Sequence, residues 1–568
     1  MPAAGGMAVA AGARARAAAV AGGAHLPVTP SPPLPPMAPL PSLAPPSPSP
    51  PGSIRTALRA LQRLDYRTPD PLDRAAGLAA LETMPTPLLL PLAMYLVQAL
   101  RFEERTDSAL ARFLLRRSLA CPMPLGWTVY WYLAAESVTE GSGAQARFQA
   151  TCAVLAANLG GVRVELGHAG YVQARLLELS CLVQSNAACG KAEMSRVLRE
   201  GLKKTRLPAQ FRLPLKPEFL ARGISEEPGR CRVMFSKKKP LWLEMLPAPS
   251  NPSARTLAVL FKNGDDLRQD QLVLHMLRVM DALWKEDLGL DACVLSYDCT
   301  PTGPGSGLLE LVRDSDTIAN ILTAGLKDIP AGAMRKAAAI QLVYKEDRIL
   351  EWLRDKCAGR SAGQVWRGGE LAGAGAGAGA AGLPPPLPPL GTAMDAAQEN
   401  FARSAAACCV ATYVLGIGDR HADNIMCTEE GRLFHIDFGH ILGRFKKKGG
   451  FLRERSVFVF TPQMARVLGY SAGGAESPAY RRFLDFGAAA FNTLRRRFDC
   501  LDSLFHVMLG CGLPGLASLK DIEWVRGALK LDIGSEEAAA AEWRKMVGSC
   551  LTTRFRQIDD SFHMLVHA

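Results

Sequence analysis

A dense polar loop with the sequence GDRHADN, followed by two short apolar runs, constrains this chain more than any other feature. The runs at 425–427 and 433–436 flank a Glu-Gly turn, a pattern typical of a β-hairpin. A two-residue turn would place Asn424 directly opposite Asp437. Opposed side chains on one face have Cβ atoms about 5 Å apart, so an amide oxygen and a carboxylate can share one hard cation. The sequence therefore predicts a Mg²⁺ site held by Asn424 and Asp437.

The loop before this hairpin concentrates polar side chains, namely Asp419, Arg420, His421, Asp423 and Asn424. A loop of this kind can hold a base for a substrate hydroxyl, as the equivalent loop of protein kinases does. The alternative is a turn that is rich in capping Asp and Asn residues. That alternative would make the hairpin pairing a coincidence, so the pattern favours a phosphoryl-transfer site.

Two features upstream of the hairpin indicate phosphate binding. Lys262 ends the apolar run TLAVLFK, where a strand would carry its ammonium group toward ATP phosphates. The segment FSKKKPLWLEM joins Ser236 and three lysines to another apolar run, and a basic turn between strands suits a polyphosphate. The chain has no G-x-x-x-x-G-K-[ST] motif, so it is not a P-loop NTPase.

The chain divides into segments of different composition. Residues 1–53 are rich in Ala, Gly, Pro and Ser and are expected to be disordered. Residues 54–204 place apolar positions at three- and four-residue steps, which predicts an all-α helical-solenoid domain. Short strand-like runs and then long helical patterns fill residues 205–568, which fits a two-lobed α+β enzyme domain. A low-complexity insertion at about 358–393 is expected to form a surface loop of that domain.

Composition narrows the class of protein. The 568 residues are 48% hydrophobic, enough to bury several cores. The longest apolar run is shorter than the roughly 20 residues that a membrane span needs. Fourteen cysteines without C-x-x-C spacing indicate free thiols rather than a zinc site. The net charge of +12 implies anionic partners, such as phosphates or anionic lipid.

The motifs FKNGDDLRQDQL, GIGDRHADNIM and FHIDFGHILG closely resemble those of phosphoinositide 3-kinases. The segments SKKKPLWLE, SDTIAN and GLPGLASLKDIEWVRGAL extend this resemblance over roughly residues 54–568. It implies an α+β, protein-kinase-like lipid kinase domain preceded by an all-α helical-solenoid domain. The N-lobe would cover about 205–312 and the C-lobe about 313–568. The GDRH and DFG pieces alone also fit phosphoinositide 4-kinases and the large related protein kinases.

The resemblance implies roles for the residues at matching positions. Contacts with ATP are implied for Ser236, Lys237, Trp242, Lys262, Asp270, Tyr297, Glu310, Val312 and Met426. Catalytic roles are implied for Asp423, His421, Lys262, Asp419 and Arg420. The Mg²⁺ ligands match Asn424 and Asp437, so ATP and Mg²⁺ are the implied cofactors.

The segment after Asp437 resembles an activation loop with two basic clusters. Its basic residues are Arg444, Lys446, Lys447, Lys448, Arg453 and Arg455. Two clusters can hold two extra ring phosphates through charge-assisted hydrogen bonds. Their spacing resembles class I enzymes, which accept phosphatidylinositol 4,5-bisphosphate. The alternative is a solvated basic loop that attracts an anionic membrane without reading the headgroup.

The expected activity is therefore ATP-dependent phosphorylation of the inositol 3-hydroxyl, converting phosphatidylinositol 4,5-bisphosphate to the 3,4,5-trisphosphate in membrane signalling. The alternatives are a kinase that makes only phosphatidylinositol 3-phosphate, a non-catalytic scaffold and a protein kinase. A cytoplasmic location with peripheral recruitment to the plasma membrane or endomembranes is expected. The expected partners are a membrane phosphoinositide, an anionic membrane surface, and a regulatory subunit or proline-recognition domain, but not nucleic acid.

Overall fold

The computed structural model describes residues 52–138, 143–250, 255–326, 342, 345–367, 391–445, 447–448, 451–452, 456–471 and 476–552. Several sequence predictions lie outside these residues: those for 1–51, 368–390, Lys446, Arg453, Arg455 and the side chains of Lys447 and Lys448. Within the described ranges, no helix has both the length and the apolar character to cross a membrane.

The first part of the described chain is helical. Its α-helices are α1 (Ile54–Gln62), α2 (Pro71–Glu82), α3 (Thr86–Leu89), α4 (Ala93–Gln98), α5 (Ala109–Ala120), α6 (Trp127–Ser137), α7 (Gln145–Asn158), α8 (Val162–Ser185) and α9 (Lys191–Lys204). Side-chain caps explain where some of them begin. Ser53 Oγ accepts a hydrogen bond from the backbone of Thr56 at 3.1 Å, and Asp70 does the same for Leu72 at 2.9 Å. The predicted helical region is confirmed.

Helices α8 and α9 pack differently from the helices before them. Buried Leu176 and Val183 of α8 and Leu198 of α9 share one apolar cluster with strand residues Val259 and Phe261. The earlier helices instead share a core with the later part of the chain. The proposed boundary near residue 204 stays a prediction, but α8 and α9 cover one face of the sheet described next.

The N-lobe is built on an antiparallel sheet. Its strands are β1 (Phe211–Leu213), β2 (Lys216–Ile224), β3 (Arg232–Val233), β4 (Leu241–Pro247), β5 (Leu257–Asn263), β6 (Cys299–Gly303) and β7 (Ser306–Glu310). They lie in the order β1-β2-β4-β5-β7-β6, with β3 on β4. Helix α10 (Arg268–Leu288) follows β5, and its apolar residues Leu272, Met276, Val279 and Leu283, which recur at helical spacing, are all buried.

The C-lobe is mostly helical. Its helices are α11 (Ile318–Leu322), α12 (Arg348–Cys357), α13 (Ala362–Val365), α14 (Ala393–Val414), α15 (Pro462–Val467), α16 (Pro478–Arg496), α17 (Phe498–Met508), α18 (Leu519–Ala528) and α19 (Glu536–Thr552). The strands β8 (Ser315–Thr317), β9 (Ile425–Thr428) and β10 (Leu433–His435) form a small sheet, and β11 (Lys447–Lys448) pairs with β12 (Phe451–Leu452). The predicted α+β class, with helices before a two-lobed kinase-like domain, is confirmed.

The β9–β10 hairpin forms where the sequence predicts it, but in a different register. Leu433 pairs with Cys427, one residue away from the predicted pairing. Asn424 therefore meets Ile436, whose backbone N–H donates to Asn424 O at 3.1 Å. The prediction that Asn424 lies directly opposite Asp437 is wrong.

The turn of this hairpin explains the shift. Gly431 N–H donates to Thr428 O at 2.8 Å, and Thr428 N–H donates to Arg432 O at 3.0 Å, so three residues rather than two form the loop. Gly431 has a φ of 86°, the left-handed conformation that such bulged turns require. A Cβ at this position would lie 2.3 Å from the carbonyl oxygen of Ala397 in α14. Glycine and close helix packing together select the longer turn.

Candidate active site

One face of the N-lobe sheet carries the candidate nucleotide residues. Trp242 on β4 pairs with Leu260 on β5, and Lys262 lies two residues further along β5. Because side chains alternate along a strand, these three lie on the same face. The alternate residues, such as Leu243 and Val259, are buried in the cluster that includes α8 and α9. The face with Lys262 is therefore the one left for the cleft.

Lys262 lies in a cluster of acidic side chains. Burial lowers the pKa of Lys262, but the charges of Asp270, Asp437 and Asp265 outweigh it and raise the pKa above its ordinary value. Burial raises the pKa of Asp270, and Lys262 opposes that rise. The ammonium group thus stays charged in a half-buried position, where it can meet an anionic ligand.

The start of the DFG segment is fastened to helix α10. Phe438 N–H donates to Asp270 Oδ1 at 3.1 Å. Gln269 Nε2 donates to Phe438 O at 2.7 Å. Both side chains come from the first turn of α10, which begins directly after the strand that holds Lys262. The backbone next to Asp437 is therefore fixed relative to Lys262.

Arg420 joins the catalytic loop to the same segment. Its guanidinium donates to Gly418 O at 2.9 Å and to Ile436 O at 2.7 Å, and it also donates to Asp437 O. The side chain is buried, and burial lowers the pKa of Arg420, opposed by the charges of Asp437 and Asp419. These bonds satisfy backbone carbonyls, so Arg420 holds the loop in place.

The remaining loop residues form a short chain of polar contacts. Asn424 Nδ2 donates to Asp419 O at 3.0 Å and lies 3.1 Å from His421 Nε2. Because an amide nitrogen only donates, Nε2 is the acceptor and a neutral His421 carries its proton on Nδ1. Nδ1 lies 3.7 Å from Asp423 Oδ2. The Asp423 side chain is 43% exposed, so a substrate can reach its carboxylate.

The donor set fits Mg²⁺. The amide nitrogen of Asn424 is engaged, which leaves Oδ1 as the atom available to a cation. Among the residues that the structure describes, none donates a side-chain hydrogen bond to the Asp437 carboxylate. Asp437 follows the hairpin and has a φ of 60°, in the left-handed region of backbone conformation. An amide and a carboxylate oxygen, completed by waters and phosphates, suit this hard ion. No group of three His, Cys, Asp or Glu side chains with metal-site geometry occurs in the described ranges.

Tyr297 and Met426, which the resemblance assigns to contacts with ATP, both lie next to Phe434 of the hairpin. Tyr297 is buried, and its ring meets the edge of the Phe434 ring at 6.5 Å between centroids. Its hydroxyl has no hydrogen-bond partner among the described residues, and burial raises the pKa of Tyr297 far above its usual range. Met426 faces Phe434 across the hairpin and is half-buried. A buried hydroxyl without a hydrogen-bond partner is energetically costly, and a polar group of a bound ligand would remove that cost.

A cavity of about 320 Å³ lies at the outer side of the sheet face, with Trp242 and Val312 in its lining. The guanidinium of Arg232 stacks over the Trp242 ring at 3.9 Å. Nearby Glu244 is buried and accepts hydrogen bonds from Arg313 at 2.9 Å. Burial raises the pKa of Glu244, but its Thr256 and arginine partners hold it below the ordinary value. The cavity therefore has an aromatic floor and charged, paired walls.

The side chain of Glu310 does not face the cleft. Lys216 Nζ donates to the two carboxylate oxygens of Glu310 at 3.1 and 3.0 Å, and the Asp298 N–H donates to it at 3.2 Å. Glu310 pairs with Val259 in the sheet, on the face opposite Lys262. Any contact of Glu310 with a nucleotide would use its backbone.

The basic turn with Ser236 and Lys237 is held by helix α8. Both side chains are exposed. Gln184 Nε2, near the end of α8, donates to Lys238 O at 2.8 Å and to Asn263 O at 3.0 Å. One amide therefore ties the turn to the end of the strand that carries Lys262.

Comparison with known proteins supplies the family. Residues 256–518 match the family model described as phosphatidylinositol 3- and 4-kinase. Residues 54–166 match the accessory (PIK) domain of the phosphoinositide 3-kinase family. The chain therefore carries a phosphatidylinositol 3- and 4-kinase domain and the accessory domain of the phosphoinositide 3-kinase family. The resemblance seen in the sequence motifs is thereby confirmed.

Two relatives from Dictyostelium discoideum align with most of the chain. Identity is 34% over 510 residues with phosphatidylinositol 3-kinase 2, covering 90% of this chain and 24% of that relative. It is 33% over 509 residues with phosphatidylinositol 3-kinase 1, covering 90% of this chain and 29% of the relative. The chain therefore spans about a quarter of the length of the curated relatives it matches.

The structure also adds residues to this family site that the motifs did not single out. Gln269 and Gln184 bind backbone carbonyls at the DFG segment and the basic turn. Gln269 lies on the buried side of α10, and a polar residue at a buried helix position signals a bound partner. Arg232, over Trp242, has no such signal because its position on an exposed strand end is ordinary for arginine.

Proposed function

We propose that the chain transfers the terminal phosphoryl group of ATP to the 3-hydroxyl of the inositol ring of phosphoinositides. The observation that carries this proposal is the interaction of Lys262 with Asp270 and Asp437, where Asp270 is bonded to the DFG backbone, in a chain whose catalytic loop has an accessible Asp423 carboxylate. Phosphoryl transfer depends mainly on positioning and electrostatic stabilisation. The cleft offers a half-buried cation, oxygen ligands and a catalytic base, in a chain that carries a phosphatidylinositol 3- and 4-kinase domain.

Each residue then has a distinct task. Asp423 accepts the proton of the inositol hydroxyl, and His421 holds Asn424 and faces Asp423. Lys262 binds ATP phosphates, and Arg420 keeps the catalytic loop against the DFG backbone. Asn424 and Asp437 would hold Mg²⁺, which when bound neutralises the phosphate charge during transfer.

The rest of the nucleotide site follows from the sheet face and the hairpin. The adenine ring of ATP lies between the N-lobe sheet face and the β9–β10 hairpin. The residues against it include Trp242, Tyr297, Val312 and Met426. Asp270 lies deepest, bound to the backbone of the DFG segment. Ser236 and Lys237 of the basic turn are exposed and face the phosphates in this arrangement.

We further propose phosphatidylinositol 4,5-bisphosphate as the substrate and the 3,4,5-trisphosphate as the product, in signalling at a membrane surface. The support is the pair of basic clusters that follow the DFG segment: Lys446, Lys447, Lys448, Arg453 and Arg455. A charged hydrogen bond contributes about 1.5–3 kcal/mol, or roughly 10- to 150-fold in selectivity. A proline-recognition domain is proposed as a partner of the segments at 1–53 and about 358–393, and a regulatory subunit is proposed as a partner of the chain without a specified segment.

A vesicle assay tests the substrate. We expect joint replacement of Lys446, Lys447 and Lys448 by Gln to lower activity on the 4,5-bisphosphate by about tenfold or more. Activity on plain phosphatidylinositol should change much less, because its ring carries no extra phosphate. The matched control replaces the exposed lysines Lys203 and Lys204 at the end of α9.

The outcomes separate the candidate functions. Equal losses on both lipids, at matched surface charge, would show that the lysines only attract the membrane. A wild-type enzyme that accepts phosphatidylinositol alone would instead establish the alternative activity, a kinase that makes only phosphatidylinositol 3-phosphate. Absence of turnover on every phosphoinositide would favour a scaffold.

A further inference from the structure

The root of the activation loop, residues 440–445, runs beside the segment that leads into the catalytic loop. Leu442 N–H donates to Leu415 O at 2.7 Å, and Gly443 N–H donates to Gly416 O at 3.1 Å. The two segments are joined backbone to backbone. These bonds help to hold the two segments side by side.

The indole of Trp524, from helix α18, lies directly on this pair of segments. A Cβ at Gly443 would lie 2.2 Å from Trp524 Cε3, and one at Gly416 would lie 2.4 Å from Trp524 Nε1. Both glycines have positive φ, 73° and 54°. Phe445 packs its ring against the edge of the indole, with centroids 5.4 Å apart. The indole thus contacts the backbone with no intervening side chain.

A second contact from α18 is an ion pair. Arg444 donates to Asp521 Oδ1 at 2.8 Å and to Oδ2 at 2.9 Å through the same nitrogen. Asp521 also accepts the backbone N–H groups of Ser518 at 2.8 Å and Ala517 at 2.9 Å, which cap α18. Burial raises the pKa of Asp521, but Arg444 and the cap bonds hold it below the ordinary value. The pair is therefore charged and fixed to the helix end.

The segment before α18 makes a third contact. A Cβ at Gly515 would lie 2.4 Å from Ile441 Cγ1. Gly515 N–H donates to Gln269 Oε1 at 2.9 Å, and the amide nitrogen of the same Gln269 donates to Phe438 O at 2.7 Å. The segment from Phe438 to Phe445 is thus contacted by α18, by the segment before α18 and by Gln269 of α10.

We propose that Trp524 and Asp521 form a seat for the activation loop, and that they position its headgroup-binding part without taking part in ATP chemistry. This inference rests on the proposed lipid kinase function. Arg444 of the loop binds this seat and is not part of the headgroup clusters, because its guanidinium is occupied by Asp521 and by Pro514 O.

The catalytic loop has supports of its own. Arg420 binds the carbonyls of Gly418 and Ile436, and Asn424 binds that of Asp419. None of these bonds involves α18. Loss of the seat should therefore displace the activation loop more than the ATP site, and a displacement of about 1 Å can cost 100-fold in rate.

The test compares two reactions of the same enzyme. In Trp524→Ala and Arg444→Gln, we expect kcat/KM for phosphoinositide vesicles to fall by about 10- to 100-fold. Hydrolysis of ATP without lipid should change by less than about twofold. Amide exchange at Leu442 and Gly443, whose N–H groups are bonded in the seated loop, should rise in both variants.

Matched variants control for general damage. Trp524→Phe should restore most of the lipid activity, because a smaller ring still covers the glycines. Trp352→Ala on α12 and Asp485→Asn, which breaks the ion pair with Arg544, change the same residue types elsewhere in the C-lobe. The double variant Arg444→Gln with Asp521→Asn should lose no more than the stronger single variant, because the two residues act as one pair.

Equal losses of lipid phosphorylation and ATP hydrolysis in Arg444→Gln, whose side chain is 43% exposed, would overturn the seat. Unchanged lipid activity in both variants would overturn it as well. A wild-type enzyme without lipid activity would defeat the proposed function alone. In that case, faster amide exchange at Leu442 and Gly443 in the variants, but not in the controls, would still support the seat.

Discussion

Lys262 brings a positive charge to a half-buried position near Asp270 and Asp437, and the attraction of these acidic groups raises the pKa of Lys262. Such a balance is favourable only while all members stay together, because an unpaired charge in a low-dielectric interior is costly. The raised pKa of Lys262 means that its ammonium form is the stable one. When the phosphates of ATP bind there, their negative charge would supply part of the attraction that the carboxylates exert on Lys262 in the unliganded protein.

Lys262→Met tests this role. We expect kcat/KM for ATP to fall by roughly 10- to 150-fold, because a charged hydrogen bond to phosphate is lost. The fold should persist, since Lys262 points into the cleft while its neighbours Val259 and Phe261 fill the core. Circular dichroism checks the fold, and Lys262→Arg is the variant that keeps the charge. An unchanged kcat/KM would show that Lys262 does not bind the nucleotide.

At the scale of residues, the sequence predicted the identity of the interacting side chains better than it predicted their relative positions. The motifs pointed to Lys262, Asp270 and Asp437, and the structure places their charges within interacting range. The hairpin register was missed because a Glu-Gly pair permits both a two-residue turn and a longer bulged one. The choice depends on Ala397 of α14, which is distant in sequence and packs against Gly431.

At the scale of elements, helix α8 reaches the proposed nucleotide site through its last turn. Gln184 binds Lys238 O in the basic turn and Asn263 O at the end of β5, the two segments that flank the proposed phosphate position. The sequence predicted a helix here but not this contact, because strand ends that come together in space have no local signal.

We predict that Gln184→Leu raises KM for ATP by about 2- to 10-fold, in line with about 0.5–1.5 kcal/mol per hydrogen bond. Melting temperature should fall only slightly, because Gln184 is half-buried at a helix end. Asn186→Ala is the control, since its side chain binds only within α8. An equal change of KM in both variants would show that α8 does not position the turn.

Helix α10 also contacts the helical region. His275 is buried between Tyr132, whose hydroxyl lies 3.1 Å from Nε2, and Pro91 O, 3.0 Å from Nδ1. Burial and Arg278 lower the pKa of His275 to about 3, against the opposing influence of Pro91 O and Asp298. The folded protein therefore holds this imidazole neutral.

The depressed pKa predicts an acid-sensitive contact. The unfolded chain gains a proton on His275 below about pH 6.5, whereas the folded one does not until about pH 3. Stability from this group is thus complete above pH 6.5 and is lost as pH falls toward 3, by at most about 1.4 kcal/mol per pH unit.

His275→Gln should flatten the dependence of unfolding free energy on pH between 6.5 and 4. Glutamine can still donate to Pro91 O and accept from Tyr132, but it does not titrate. Denaturant unfolding at several pH values measures the slope, with His168→Gln on the exposed face of α8 as the control. Identical slopes for wild type and His275→Gln would contradict the assignment.

At the scale of the whole molecule, the periodicity of the sequence predicted the helical region, the strands and the two lobes. The sequence did not predict which helices share a hydrophobic core with the sheet and which share one with the later helices. Buried residues of α8 and α9 pair with the sheet, whereas Leu58 and Leu61 of α1 join the core of the later helices. A helical pattern shows which face is apolar but not which partner covers it.

The low-complexity insertion enters and leaves the C-lobe at anchored points. Before it, Arg367 donates its backbone N–H to Asn400 Oδ1 at 3.3 Å and pairs with Glu430 at 3.0 Å. After it, Thr392 and Asp395 form a capping box at the start of α14. Each end is therefore held without help from the residues between them.

Replacing 368–389 with a short Gly/Ser linker should leave the melting temperature within about 2 °C of wild type. Loop-closure entropy changes only as the logarithm of length. Thermal unfolding measures this, with Glu430→Gln as a comparison variant that weakens the anchors themselves. A large fall in melting temperature on replacement would mean that the segment packs on the kinase domain.

The most direct measurement is the ring position of the new phosphate. Wild type and Asp437→Asn are incubated with ATP, Mg²⁺ and vesicles that contain either phosphatidylinositol or its 4,5-bisphosphate. We expect a 3-phosphate product from wild type and a loss of about 100-fold or more in a folded Asp437→Asn variant. Asp485→Asn should behave as wild type. Phosphate on another hydroxyl, or undiminished turnover in folded Asp437→Asn, would contradict a 3-kinase built on this cleft.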